Sequence, residues 1–221
     1  PDQADTYSNM GKVYYMLGDY AGAVRSLQKA LVLDPDLPEA HTNLGVTYQA
    51  MGRYEDALLH HQRALGSNSQ FVEAHSNIGN TYHQMGQYEI AVHHLQTALT
   101  LRPDYAKGYA NLGNAWMAQG RFQMAVPHLE KALVLDANLD QARFNLGLAH
   151  LGLKQYEQAI GQFQRVIDRH PRMAKAYHSM GMAYAHLDEI ERARNCYQKV
   201  LELDADYPHA DTIRAWLDAR R

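Results

Sequence analysis

The chain has 221 residues, of which 46% are hydrophobic, an ordinary share for a folded protein. Its formal net charge of -3 excludes the strongly basic class of nucleic-acid-binding proteins. The single cysteine, Cys196, excludes an internal disulfide and a Cys-rich zinc site, and no apolar run is long enough to cross a membrane. These features leave the compartment open between the cytoplasm, which we favour, and the periplasm.

One short pattern returns at a constant interval along the chain. An apolar residue followed by glycine recurs at Met10-Gly11, Leu44-Gly45, Ile78-Gly79, Leu112-Gly113, Leu146-Gly147 and Met180-Gly181. Fixed self-similarity at a period of about 34 residues predicts an architecture of stacked repeats. The expected repeats are 4–37, 38–71, 72–105, 106–139, 140–173 and 174–207, together covering 4–207.

The second repeat illustrates how each one is expected to fold. Ala40, Leu44 and Tyr48 form one apolar stripe at helical spacing, and Tyr54 and Ala57 begin a second stripe. Glycine between the stripes ends the first helix. Each repeat is therefore predicted to contain a helix A, a short turn and a helix B. In the fifth repeat Lys154 stands where glycine is usual, which predicts looser packing of residues 147–156.

The segments at either end of the six repeats continue the pattern in part. Residues 1–3 match the last positions of a repeat, so we expect them to be the remnant of a preceding one. Residues 208–221 resume a helical pattern and then close with charged side chains. This predicts a C-terminal capping helix with a polar outer face.

This pattern resembles the tetratricopeptide repeat (TPR) family over about the whole chain. One repeat meets the family pattern with Leu44, Gly45, Tyr48, Gly52, Tyr54, Ala57 and Ala64. The resemblance implies an all-α fold, a right-handed superhelical solenoid of six helix-turn-helix repeats plus the C-terminal capping helix. It also implies that helix A lines a concave face and that ligands lie there.

A column of asparagines lies two residues before each glycine of helix A. Its members are Asn9, Asn43, Asn77, Asn111 and Asn145, with Ser179 in the last repeat. Asparagine is a mediocre helix former, and its amide both donates and accepts hydrogen bonds. The column could therefore hold the peptide groups of an extended chain, and it is similar to that of the repeat region of O-linked N-acetylglucosamine transferases. The alternative is that these amides bond within the solenoid.

The other helix A positions that are not used for packing change from polar to apolar along the chain. Early repeats place Asp5, Ser8, Glu39, Thr42, Glu73 and Ser76 there, and later repeats place Met117, Phe144, Leu148, Leu151 and Met182. Apolar side chains on a face expected to be wet indicate a binding patch, unless the superhelix or the capping helix buries some of them. Residues 1–110 hold 7 basic and 11 acidic side chains, which favours a more acidic first half of the groove.

Other kinds of site find little support in the sequence. The carboxylate clamp with which some TPR proteins hold chaperone C-termini is incomplete, because Ala110 and Ser179 replace its first Lys and its Arg. No HExxH, G-x-S-x-G or Gly-rich phosphate loop occurs, so we expect no catalytic residue, metal or cofactor. His61 takes a position that Leu27 and Leu95 occupy in other repeats, which indicates a partly buried packing residue.

The sequence thus predicts a non-catalytic scaffold or adaptor that binds an extended or helical peptide segment of a protein partner in its concave groove. We expect neither a nucleic-acid partner nor direct insertion into a membrane. Two alternatives stay open. The chain is a targeting or regulatory module of a larger enzyme such as a glycosyltransferase, or it is a self-assembling scaffold.

Overall fold

The computed structural model describes residues 2–220, in which all regular secondary structure is helical. Pro1 of the expected remnant and Arg221 of the expected capping helix lie outside the described residues. The helices of this part of the chain are α1 (Asp2–Met16), α2 (Tyr20–Leu33), α3 (Pro38–Ala50), α4 (Tyr54–Ser67), α5 (Val72–Gln84), α6 (Tyr88–Leu101), α7 (Ala106–Ala118), α8 (Phe122–Leu135), α9 (Asp140–Gly152), α10 (Tyr156–Arg169), α11 (Ala174–His186), α12 (Ile190–Leu203) and α13 (Ala210–Asp218). The prediction of an all-α repeat fold is confirmed.

The chain divides into two compact units, residues 1–119 (unit 1) and 120–221 (unit 2). Unit 1 contains α1 to α7, and unit 2 contains α8 to α13. Consecutive helices pack as pairs, namely α1–α2, α3–α4 and α5–α6 in unit 1, and α9–α10 and α11–α12 in unit 2. In unit 1 the odd-numbered helices also contact one another in sequence, α1 with α3, α3 with α5 and α5 with α7. The A helices of this unit therefore lie side by side.

Small residues allow the two helices of a pair to approach closely. A Cβ added to Gly45 of α3 would lie 2.5 Å from Cε1 of His61 in α4. The same addition at Gly79 of α5 would lie 2.7 Å from Cγ of Leu95 in α6. Any larger residue at these positions would push the paired helices apart, which gives a steric reason for the return of glycine in each repeat.

The turn between paired helices requires a left-handed residue. Glycine supplies it without steric penalty at Gly18, Gly52 and Gly86, with φ of 79°, 74° and 75°. In unit 2, Lys154 has φ of 61° and Asp188 has φ of 59°. An L side chain is strained in this region. The expectation of looser packing at residues 147–156 stays a prediction.

Unit 2 has a core rich in aromatic residues and a terminal helix that covers one side of it. Phe163, Val166 and Met180 are buried in one cluster between α10 and α11. Helix α13 follows the last helix pair and packs Ile213 and Trp216 against Tyr197, with the Trp216 and Tyr197 ring centroids 4.9 Å apart. Helix α13 therefore covers one side of this core, and the capping role expected of residues 208–221 stays a prediction. The longest helix of the described residues, α1, has 15 residues, too few to span a bilayer.

Candidate functional site

The A helices of unit 1 line a cavity of about 590 Å³, which we call the unit 1 groove. Helices α1, α3 and α5 contribute to it, together with the loop that precedes α5 and the residue that follows α6. The lining residues are Asp5, Ser8, Asn9, Lys12, Glu39, Thr42, Asn43, Asn68, Gln70, Phe71, Val72, Glu73 and Arg102. Most of them carry a charge, a hydroxyl or an amide. The groove therefore suits a polar ligand better than an apolar small molecule.

Four asparagines of the predicted column lie on the A helices of unit 1. Nδ2 of Asn43 donates to Oγ of Ser8 over 3.5 Å, and Nδ2 of Asn111 donates to Oγ of Ser76 over 3.4 Å. Both distances exceed the range of about 2.7–3.2 Å for a good N–H···O hydrogen bond. Asn9 is exposed in the same groove. Of these four amides, Asn43 and Asn111 therefore follow the alternative of bonding within the solenoid, and their hydrogen bonds are long.

The corresponding hydrogen bond between the second and third repeats is missing. Thr42 of α3 shares the repeat position of Ser8 and Ser76, and Asn77 of α5 corresponds to Asn43 and Asn111. Thr42 is 6% exposed, and its Oγ has no hydrogen-bond partner within the described chain. The half-buried Asn77 side chain makes no hydrogen bond to the described residues either. Between the two bonded pairs, the hydroxyl of Thr42 and the side-chain amide of Asn77 therefore have no hydrogen-bond partner in the described chain.

The apolar residues expected at the groove are more buried than a binding patch requires. Phe144 is only 6% exposed and packs against Phe163, with ring centroids 5.6 Å apart. The expectation that Phe144 is an exposed groove residue is therefore corrected, because it belongs to the core of unit 2. Leu148 and Leu151 are half-buried against the same core, whereas Met182 is 36% exposed.

Other residues of the expected site already have contacts within their own unit. In unit 2, Nε2 of Gln141 donates to Oδ1 of Asn145 over 2.8 Å. Nζ of Lys175 lies 4.8 Å from the centroid of the Phe144 ring and 3.4 Å from Oε1 of Gln141. Met117, on α7 of unit 1, is half-buried. These contacts make the A-helix residues of unit 2 less available to a ligand than those of the unit 1 groove.

Two histidine pairs join helix A to helix B in unit 1. Nδ1 of His41 lies 3.0 Å from Nδ1 of His60, and the equivalent atoms of His75 and His94 are 3.4 Å apart. Nε2 of His41 donates to the Pro35 carbonyl over 2.9 Å. His41 must therefore accept at Nδ1 while His60 donates, since a neutral imidazole has one N–H. Burial, followed by the facing histidine, lowers the pKa of His60 and of His94 to about 4.

The sequence contains a sign of these pairs, since His60 and His94 lie one repeat apart, as do His41 and His75. Which histidines meet depends on the crossing of the helices, which the spacing alone does not give. No group of three or more His, Cys, Asp or Glu side chains within residues 2–220 is arranged to hold a metal ion.

His61 is buried more completely than the sequence indicated. Its side chain is fully covered beneath Gly45, and neither ring nitrogen has a hydrogen-bond partner in the described structure. Burial lowers the pKa of His61 to about 3, so the ring is neutral at pH 7. His61 is therefore a core residue whose polar atoms are unsatisfied, and it has no direct role in the groove.

Paired helices with a polar face formed by side-by-side A helices define a helical-repeat protein. A family model of the TPR repeat matches residues 13–52 and 79–120. One model of the tetratricopeptide repeat matches residues 142–206, and another matches residues 38–71 and 106–139. The chain belongs to the tetratricopeptide repeat family. Its fold is that of a TPR protein–protein interaction scaffold. A comparison with curated protein sequences gave no match.

Solved structures with the same fold agree with this assignment. Pseudomonas aeruginosa pilF has a TM-score of 0.85 and 22% identity, with 97% of each chain covered. YrrB, described as a TPR protein with an unusual peptide-binding site, has a TM-score of 0.72 and 23% identity, covering 87% of this chain and all of YrrB. MamA from Desulfovibrio magneticus RS-1 has a TM-score of 0.71 and 24% identity, covering 77% of this chain and 96% of that one.

Proposed function

We propose that this chain is a non-catalytic adaptor that binds an extended peptide segment of a partner protein in the unit 1 groove. The observation that carries the proposal is the missing hydrogen bond between Thr42 and Asn77. The buried Thr42 hydroxyl and the Asn77 side-chain amide both lack a partner in the described chain. A buried polar group without a hydrogen bond destabilises a structure, so a ligand that bonds it gains affinity. A peptide group supplies both a donor and an acceptor for these two side chains.

The arrangement of the groove suits an extended chain. Helices that pack side by side lie about 8–10 Å apart, and an extended chain advances about 3.3–3.6 Å per residue. A peptide laid across α1, α3 and α5 would therefore meet one asparagine at roughly every third residue. Contacts to the peptide backbone hold a segment largely irrespective of its side chains. The description of YrrB as a peptide-binding TPR protein is consistent with this use of the fold.

The test is a selection from a random dodecapeptide display library on the wild-type chain, followed by affinity measurements on Asn43→Ala/Asn77→Ala. Each lost hydrogen bond to a neutral group is worth about 1 kcal/mol, so we expect the double variant to bind the selected peptides roughly 10- to 30-fold more weakly. The matched control is Gln28→Ala/Gln62→Ala, which removes two exposed amides from α2 and α4. Equal affinities for all three proteins would refute the proposal.

A further inference from the structure

Three carboxylates follow one repeat position along the unit 1 groove. Asp5, Glu39 and Glu73 all line the cavity, and each lies one repeat further along the sequence than the one before. They stand on α1, α3 and α5, whose mutual contacts place them in a row. From α7 onward the same repeat position holds Lys107, Gln141 and Lys175, none of which carries a negative charge. The acidic row is therefore a property of the unit 1 groove.

Two of these carboxylates have no ion-pair partner among the described residues. Nη1 of Arg102 lies 2.8 Å from Oε1 of Glu73 and neutralises that charge. Asp5 and Glu39 are exposed and form no salt bridge within the described chain. Lys12 is the one other cation among the described residues that line the cavity. The α1–α3 side of the groove therefore presents two carboxylates that a cationic group of a ligand can neutralise.

A second feature of the same cavity points to a ligand independently of charge. Thr42 lines the cavity three residues after Glu39, so the two side chains share one face of α3. Thr42 is 6% exposed, and its Oγ has no hydrogen-bond partner in the described structure. A ligand that neutralises Glu39 from within the groove thus brings its neighbouring polar groups towards an unsatisfied hydroxyl.

We infer that the unit 1 groove is selective for a peptide segment that carries Lys or Arg, with the cationic side chain at Asp5 and Glu39 and the peptide backbone at Thr42. This inference rests on the proposed function, that the groove binds a peptide. Carboxylates repel phosphate groups, so the same observations disfavour a nucleic acid. Exposed charges are screened within a Debye length of about 10 Å at 0.1 M salt. Affinity for the basic segment therefore falls as salt is raised.

The experiment compares peptides selected from the random dodecapeptide library on the wild-type chain with those selected on Asp5→Asn/Glu39→Gln. Fluorescence anisotropy then measures the strongest wild-type binder and the same peptide with every Lys and Arg replaced by Gln. The matched control, Glu55→Gln/Glu89→Gln, removes two exposed carboxylates from the first turns of α4 and α6. Circular dichroism verifies that all proteins are equally helical.

We expect wild-type binders to be enriched in Lys and Arg. The groove variant and the Gln-substituted peptide should each lower affinity about fivefold to tenfold, as expected for two exposed charge pairs, while the control stays at wild-type affinity. Binders that depend on Asn43 and Asn77 but show no such enrichment, or are unaffected by Asp5→Asn/Glu39→Gln, overturn the basic partner and leave the proposed function intact. The absence of any groove-dependent binder overturns both.

Discussion

At the scale of single residues, His61 shows that the repeat tolerates a polar group in its core. The ring is fully buried, and both nitrogens lack a hydrogen-bond partner within the described chain. In the neighbouring repeats, Leu27 and Leu95 occupy the same position, and both are fully buried. The imidazole fills the space that leucine fills elsewhere, but its two nitrogens lose their hydrogen bonds to water, which lowers the free energy of unfolding. His61 therefore lowers the stability of unit 1 below what its fold allows.

The variant His61→Leu is expected to stabilise the protein. Removing a buried polar group that has no partner gains about 1–3 kcal/mol in free energy of unfolding, provided that the new side chain fits. Urea denaturation followed by circular dichroism measures this change at pH 7. The reciprocal variant Leu95→His serves as the control and should lower the stability. A fall in stability for His61→Leu would mean that the ring has a favourable contact that its surroundings do not reveal.

The asparagine column and Thr42 illustrate which features of single residues can be predicted from the sequence. The asparagine column was visible because its members share one position of each repeat. The sequence marks the unbonded pair only by a threonine, because Thr42 stands where the two bonded pairs have Ser8 and Ser76. Whether the hydroxyl at this position meets the asparagine of the next repeat depends on three-dimensional geometry, which the repeat pattern alone does not give.

At the scale of helices, the paired histidines make the contact between helix A and helix B sensitive to pH. His60 and His94 have folded-state pKa values of about 4, below the ordinary 6.5 that applies when the chain is unfolded. Between these values the unfolded chain binds more protons than the folded chain, so stability increases with pH. Stability is therefore full above about pH 6.5 and declines as the pH falls towards 4.

We accordingly expect the urea midpoint of the protein to fall between pH 7 and pH 5, with His60→Gln/His94→Gln showing a smaller fall. The matched control is His186→Gln, which removes an exposed histidine of α11, outside α3 to α6. Hydrogen exchange at both pH values locates the effect, which should appear in α3 to α6. An equal loss of stability in the double variant and the wild-type chain would show that other groups cause the acid sensitivity.

The helices themselves were predictable because apolar spacing and turn glycines determine them locally. The second repeat shows this well, with α3 and α4 on either side of Gly52. Phe144 was misjudged for a non-local reason. It lies on the A-helix face by sequence position, yet Gly147 leaves space for the Phe163 ring, and the two rings pack together. Burial of this kind depends on residues contributed by another helix.

At the scale of the whole molecule, the two units share one repeat plan but differ in chemistry. Unit 1 combines a polar, acidic groove with the buried histidines, and unit 2 combines an aromatic core with the terminal helix α13. The repeat supplies a common scaffold, while the side chains on the A helices decide what each part can bind. The proposed peptide binding therefore belongs to unit 1.

The most direct test of this account is hydrogen exchange of the wild-type chain with and without a peptide selected from the display library. If the groove binds the peptide, amides of α1, α3 and α5 should gain protection. Those of the B helices α2, α4 and α6 should change less. Protection confined to the B helices or to unit 2 would contradict the account, because the bound peptide would then lie outside the unit 1 groove.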